Sequence, residues 1–145
     1  MKVYSVKRGF TLIELMVVII ILGILAGAVI PKLAGRTRQA RIVAAGADIN
    51  SNISVALDLY ETDNGTFPTT SQGLKALLEK PSSAPTPINW SGPYLKKGIP
   101  KDPWGQVYIY TSPGSKNAQW YDLSSSGPDA KKNTEDDIVN WEQNN

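Results

Sequence analysis

The chain has 145 residues and contains neither cysteine nor histidine. Those absences exclude a disulfide framework, a thiol nucleophile, an imidazole general base and an ordinary zinc centre. Acid–base or metal chemistry must therefore rest on carboxylates, hydroxyls and carbonyls. Charge is missing locally as well: nothing ionisable lies between Leu15 and Ile30, and Met1–Gly9 holds Lys2, Lys7 and Arg8 but no acid. The formal net charge of +2 depends on this head, because losing it takes the 15 basic side chains to 12 against 13 acidic ones, a net charge of −1. So neutral a remainder gives no argument for a nucleic-acid partner, and none is expected. The length suits one domain of modest core plus an extension.

What is present is an apolar segment, Phe10–Ile30, 21 residues long, close to the ~20 that a helix needs to cross a bilayer core. Val, Ile and Leu dominate it, and turn signals are lacking. The basic head predicts a cytoplasmic N-terminus. Lys32, Arg36, Arg38 and Arg41 follow the span, so charge counting alone leaves the orientation open. A secretory signal peptide would place its cleavage site after the apolar run. Here the processing signal, Gly9-Phe10, precedes it, and cleavage after Gly9 would remove the charges while keeping the apolar segment. Glu14 lies just inside that segment, where a carboxylate is costly unless paired. Two roles fit it: snorkelling at the helix start, helped by the helix dipole, or pairing with the amine that cleavage creates at Phe10, four residues away on one helical face. The amine could belong to its own chain or a neighbour's. Gly23, Gly27 and Gly35 form a small-residue stripe that either permits close helix approach or is ordinary membrane-helix glycine.

Pro31 cannot donate to the Gly27 carbonyl and should bend or locally open the helix. Beyond it, Ile42, Ile49, Ile53, Ala56, Leu57 and Tyr60 track one helical face, and Asn64-Gly65 supplies a stop. A helix from about Thr11 to Asp63 would be ~80 Å long. Arg36, Arg38 and Arg41 make a basic collar, either solvated, bound to anionic lipid, or paired between subunits. In the remainder, a capping box from Thr69 to Gln72 opens a short helix carrying Leu74, Leu77 and Leu78. A Pro/Ser-rich loop, Pro81–Pro93, and a tight turn, Lys101–Gly105, lead to strands at Gln106–Thr111, where Val107 and Ile109 alternate with Tyr108 and Tyr110 as in a half-buried strand, at Gln119–Ser125 and at Ile138–Trp141. Trp104 and Trp120 are expected to pack in the core or against turns. The expected fold class is α+β. A long N-terminal helix, membrane-spanning in its first half, packs by its second half on a small antiparallel sheet with a short helix. The organisation is a leader over 1–9, a span over 10–30, an amphipathic continuation over 31–63 and a head over 64–145.

The segment Ser126–Asp137 gathers Asp129, Glu135, Asp136 and Asp137 in a loop with Gly and Pro. Hard cations such as calcium take six to eight oxygens from loops of this kind. The EF-hand register is missing, and composition alone favours an acidic disordered tail over a metal loop.

The order basic head, Gly9-Phe10-Thr11-Leu12-Ile13-Glu14, apolar run resembles the class III signal of type IV pilins and pseudopilins. In those families a prepilin peptidase cuts after the Gly, and the new N-terminal Phe is methylated. Further along, Phe67-Pro68-Thr69-Thr70, Gln72-Gly73-Leu74, Asp102-Pro103-Trp104-Gly105, Gly127-Pro128-Asp129, Asp136-Asp137-Ile138 and Asn140-Trp141 resemble the major pseudopilins of the type II secretion system. That resemblance runs nearly the whole chain in order. It implies a subunit of the bacterial inner membrane, single-pass, with its head in the periplasm. Such a subunit polymerises into a helical pseudopilus that drives export of folded proteins. It works with minor pseudopilins and an inner-membrane secretion platform. Gly9 and Phe10 would be the processing and methylation sites, and Glu14 the assembly residue. The resemblance also implies a structural calcium, with side-chain oxygens from Asp129, Asp136 and Asp137 and backbone carbonyls from Ser126 and Thr134. Ala130 stands where the family often has Gly, and a positive φ there would cost something. A type IV pilin of a surface fibre is the alternative, disfavoured by the missing cysteine pair and the acidic loop. A membrane-anchored enzyme is disfavoured by the lack of His, Cys or a nucleophile motif.

Overall fold

The structure, a computed structural model, describes residues 9–142, and for 27–34 the backbone alone. The chain divides into two compact units, Met1–Gln39 and Ala40–Asn145. Its elements are helix α1 (Leu12–Ala47), a π-helical turn (Asp48–Asn52), helix α2 (Ile53–Asn64), a 3-10 helix (Gly73–Leu77) and strands β1 (Ile109–Thr111), β2 (Asp122–Ser125) and β3 (Ile138–Val139).

In the first unit α1 begins just after Thr11, which caps it. The Glu14 backbone N–H donates to the Thr11 hydroxyl at 3.3 Å, and the Thr11 N–H donates to the Glu14 carboxylate at 3.5 Å. This reciprocal capping box satisfies two orphan donors of the first turn. Helix continues through Pro31 to Ala47, so the opening expected at Pro31 does not interrupt it. The irregularity falls instead at 48–52, where the buried positions explain it. Ala45, Ile49, Ile53 and Leu57 are buried and four apart. At 3.6 residues per turn, a strict four-residue spacing drifts by about 40° a step. The wider π turn takes up that drift, so all of them stay on one face. Asn50 and Asn52 fasten the turn, donating to the Gly46 carbonyl at 3.1 Å and the Asp48 carboxylate at 2.6 Å. α2 ends as expected at Gly65, whose φ of +76° closes a left-handed cap and whose N–H donates to the Glu61 carbonyl at 2.6 Å; a β-carbon would be strained there.

The core of the second unit joins Ile49, Ile53, Leu57 and Tyr60 to Leu77, Tyr110, Tyr121 and Leu123. The Thr69–Gln72 capping box forms, with the Thr69 N–H on the Gln72 side chain at 3.0 Å and the Gln72 N–H on the Thr69 hydroxyl at 3.3 Å. The sheet is antiparallel in the order β1-β2-β3, with Tyr110 opposite Leu123 and Ser125 opposite Ile138. Its strands are shorter than expected. Val107 makes only an isolated bridge to Lys101. The strand expected from Gln119 begins only at Asp122, and the loop before it is held by the Asp122 carboxylate, which collects the N–H groups of Ser115, Lys116 and Asn117. The expected alternation holds at Tyr108 and Tyr110, both buried, while Val107 faces solvent. The Tyr110 hydroxyl donates to the Pro68 carbonyl at 2.8 Å, and burial pushes its pKa up.

Candidate functional site

The first group of expected site residues, Gly9, Phe10 and Glu14, lies at the start of α1. Gly9 and Phe10 precede the helix and are exposed, Phe10 by 86 %. In this uncleaved chain the Phe10 nitrogen belongs to a peptide bond, and the Glu14 carboxylate caps Thr11. Sequence reasoning missed that cap, although the Thr-x-x-Glu spacing signals it. The large apolar side chains from Phe10 to Leu25 are between 45 % and 86 % exposed. Among the described residues no helix is long and apolar enough to cross a membrane. The expected span, Phe10–Ile30, runs into residues whose side chains lie outside the description.

The second group lies in the loop after β2. Strand β2 ends at Ser125, whose hydroxyl donates to the Asp102 carboxylate at 2.5 Å and accepts from the Gly127 N–H at 3.2 Å. Asp102 is itself buried and accepts from the Trp104 and Gln106 N–H groups at 3.1 and 2.7 Å. The Asp-Pro-Trp-Gly turn is thus an Asx turn, tied through Ser125 to the root of the acidic loop. Gly127 must be glycine: its φ is +61°, and a β-carbon would collide with the Asp136 carbonyl oxygen. That contact brings the two ends of the loop together.

Asp129, Asp136 and Asp137 do converge. The Thr134 hydroxyl lies 3.4, 2.8 and 3.2 Å from an oxygen of each in turn. A hydroxyl has one proton to donate, so it serves one of these oxygens at a time. The Asp129 N–H reaches the Asp136 carboxylate at 3.3 Å, and the Asn133 N–H reaches Asp137 at 2.8 Å. The resemblance implied a backbone carbonyl from Thr134; here its hydroxyl holds the centre and its carbonyl accepts the Asp137 N–H at 3.3 Å. Ser126 is buried at the loop root. Ala130 takes a φ of +57° and Asn133 one of +63°, so Ala130 bears the left-handed geometry that a glycine would adopt freely. The oxygens are of the hard type that calcium prefers. No group of three His, Cys, Asp or Glu side chains among the described residues is spaced as a ready metal cage, since the carboxylates close on Thr134.

Asp122 was not singled out from sequence. It is buried, and accepts from the Ser115, Lys116 and Asn117 N–H groups at 2.7, 2.8 and 2.9 Å and from the Ser115 hydroxyl at 2.9 Å. Burial pushes its pKa up, but the hydrogen bonds from Lys116, Asn117 and Ser115 outweigh it and hold the pKa below the ordinary 3.8.

A helical N-terminal arm with a Gly-Phe junction ahead of it, and an α+β head on an antiparallel sheet, define a pilin-like subunit. The fold agrees with the crystal structure of the major pseudopilin from the type 2 secretion system of enterohaemorrhagic Escherichia coli. The TM-score is 0.66 and the identity 40 %, over 77 % of this chain and 95 % of that one. Residues 4–30 match the prokaryotic N-terminal methylation motif. The chain belongs to the family described as type II secretion system (T2SS), protein G, which it matches over residues 32–141. It is 49 % identical to the type II secretion system core protein G of Pseudomonas aeruginosa, over 94 % of this chain and 96 % of that protein. With the protein of the same name from Escherichia coli K12 it shares 45 % identity, over 97 % and 95 %.

Proposed function

We infer that this protein is a structural subunit of the type II secretion pseudopilus, polymerising from the inner membrane into a periplasmic fibre that drives export of folded proteins. The observation that carries this is the exposed apolar arm from Phe10 to Leu25, set on a chain whose head buries its own apolar side chains. Such a surface needs lipid, and after leaving lipid it needs copies of itself. The arm spans the inner membrane with its N-terminus cytoplasmic. Prepilin peptidase cuts after Gly9 and the Phe10 amine is methylated. Minor pseudopilins and the inner-membrane platform are its further partners.

Glu14 serves assembly. Before cleavage its carboxylate caps Thr11; cleavage adds an amine four residues upstream that pairs with it, in the same chain or the next. Intact-mass measurement on membrane-extracted protein tests processing: Gly9→Val should retain Met1–Gly9, and the parent chain should not. Glu14→Ala should insert as readily as the parent, since it removes a polar burden, yet form few fibres. Normal fibre yield from Glu14→Ala would end the assembly role.

The acidic loop holds calcium through Asp129, Asp136 and Asp137, with Ser126 and Thr134 completing the set. The convergence of three carboxylates on one hydroxyl supports this. When bound, the ion would neutralise their mutual repulsion and lock the loop.

A further inference from the structure

Trp120 does not pack as expected; it is 60 % exposed, while the next residue, Tyr121, is buried. The backbone that carries the exposed ring is firmly held. The Trp120 N–H donates to the Asn117 carbonyl at 2.9 Å, and its carbonyl accepts the Gly114 N–H at 3.1 Å. The preceding residues are locked onto Asp122. A rigid loop therefore presents a large aromatic face to solvent.

That face separates two clefts which share Ala118, Gln119 and Trp120. One, of about 430 Å³, opens towards Ile49, Asn50 and Ser54. The other, of about 370 Å³, opens towards Phe67, Pro85 and Pro113. The first has no charged residue in its lining; the second has only Glu61. The polar lining of the first is amide and hydroxyl. Asn140 is committed to Tyr121 and Leu123. Asn117 and Asn50 each spend one amide N–H, on the Tyr121 and Gly46 carbonyls, and keep their second N–H and their oxygen. Among the described residues the Gln119 amide and the Trp120 indole N–H have no hydrogen-bond partner.

This chemistry selects a ligand class. Side-chain amides offer donors and acceptors together, as sugar hydroxyls do. An indole face takes an apolar surface while its N–H reaches a polar one, which suits the C–H face of a pyranose. An anion would meet no cation here and would face Glu61. A protein segment would seek apolar pockets; Phe67, Pro85 and Pro113 supply some in the second cleft, but in the first Ile49 is fully covered by its own core and Ala118 offers a single methyl. We propose that the double cleft is a binding site for a neutral oligosaccharide, stacked on Trp120 and hydrogen-bonded by Gln119, Asn117 and Asn50. The site is independent of the polymerisation reading.

The test titrates the full chain, solubilised in a non-glycosidic detergent, with cellotetraose, maltotetraose and chitotetraose. Binding is followed by saturation-transfer NMR and calorimetry. At least one probe should bind with a Kd of ~1 mM or tighter. Trp120→Ala should weaken it about tenfold or more, and Trp120→Phe about threefold or less, with an unchanged melting temperature in both, because the ring covers little core. No saturation transfer from any probe at ~10 mM overturns the proposal, as does binding that Trp120→Ala leaves unaltered. Fibres lost in Trp120→Ala, with no sugar bound by the parent chain, overturn it too and assign the ring to a contact between copies.

Discussion

The arm and the head treat apolar surface in opposite ways. From Phe10 to Leu25 the large apolar side chains are at least 45 % exposed, whereas Ile49, Ile53, Leu57, Leu77 and Leu123 are fully buried. Both regions are nevertheless ordered. A helix satisfies its backbone hydrogen bonds within itself, so the arm keeps its conformation without a core, closed at its start by the Thr11–Glu14 box. The head has short strands and long loops, which cannot do this. It relies on apolar burial and on buried carboxylates, Asp102 and Asp122, that gather the N–H groups of its turns. One region is therefore built to be covered by something else, and the other to stand alone.

The sharpest test of that division compares core and arm truncations. Leu57→Ala should destabilise the head by about 2–5 kcal/mol in denaturant titrations. Ile20→Ala should leave the unfolding midpoint of the head unchanged and affect only assembly. Equal losses from both would erase the distinction.

Calcium comes next in size. If it binds the folded head alone, a hundredfold excess over Kd adds about 2.7 kcal/mol. Chelation should lower the melting temperature of a chain beginning at Arg36, and Asp129→Ala or Asp136→Ala should abolish that response. Magnesium should replace calcium poorly, because it demands a smaller octahedral shell and keeps its waters. Identical melting curves with calcium and chelator would falsify the site.

Asp122→Asn should cost about 1.5–3 kcal/mol, the range for hydrogen bonds to a charged group. The pH dependence identifies the cause. Asp122 has a folded pKa below its ordinary 3.8, so its contribution is complete above pH 3.8 and is lost as pH falls through the lower folded value. Melting temperatures recorded downward from pH 5 should show this loss in the parent chain and a shallower one in Asp122→Asn. A parallel decline in both would remove Asp122 from the account.

The smallest effect is a gain. Ala130 sits at φ +57°, so Ala130→Gly should relieve backbone strain and raise stability by about 0.5–1 kcal/mol, after the greater freedom of glycine in the unfolded chain is subtracted. A lower melting temperature would show that the methyl group contributes more by packing than it costs in strain.

What the sequence determined by itself are the features that depend on neighbours in the chain. The helix stop at Asn64-Gly65, the Thr69–Gln72 box, the Tyr108/Tyr110 alternation and the Gly9-Phe10 junction are all set by short spacings. The Thr11–Glu14 box was equally legible, in the Thr-x-x-Glu spacing. Only the tertiary structure decided the rest, because it depends on residues distant in sequence. The π turn at 48–52 follows from keeping Ala45, Ile49, Ile53 and Leu57 against one core. The strand expected at Gln119–Ser125 shortens to Asp122–Ser125 because the Asp122 carboxylate draws residues 115–117 into a loop. That loop in turn leaves Trp120 exposed, against the ordinary tendency of an aromatic beside a strand to pack. The acidic loop gathers its carboxylates only because Gly127 lets the chain pass against Asp136. A local pattern can specify a turn or a cap, but which side chain a carboxylate captures across the fold is settled by packing.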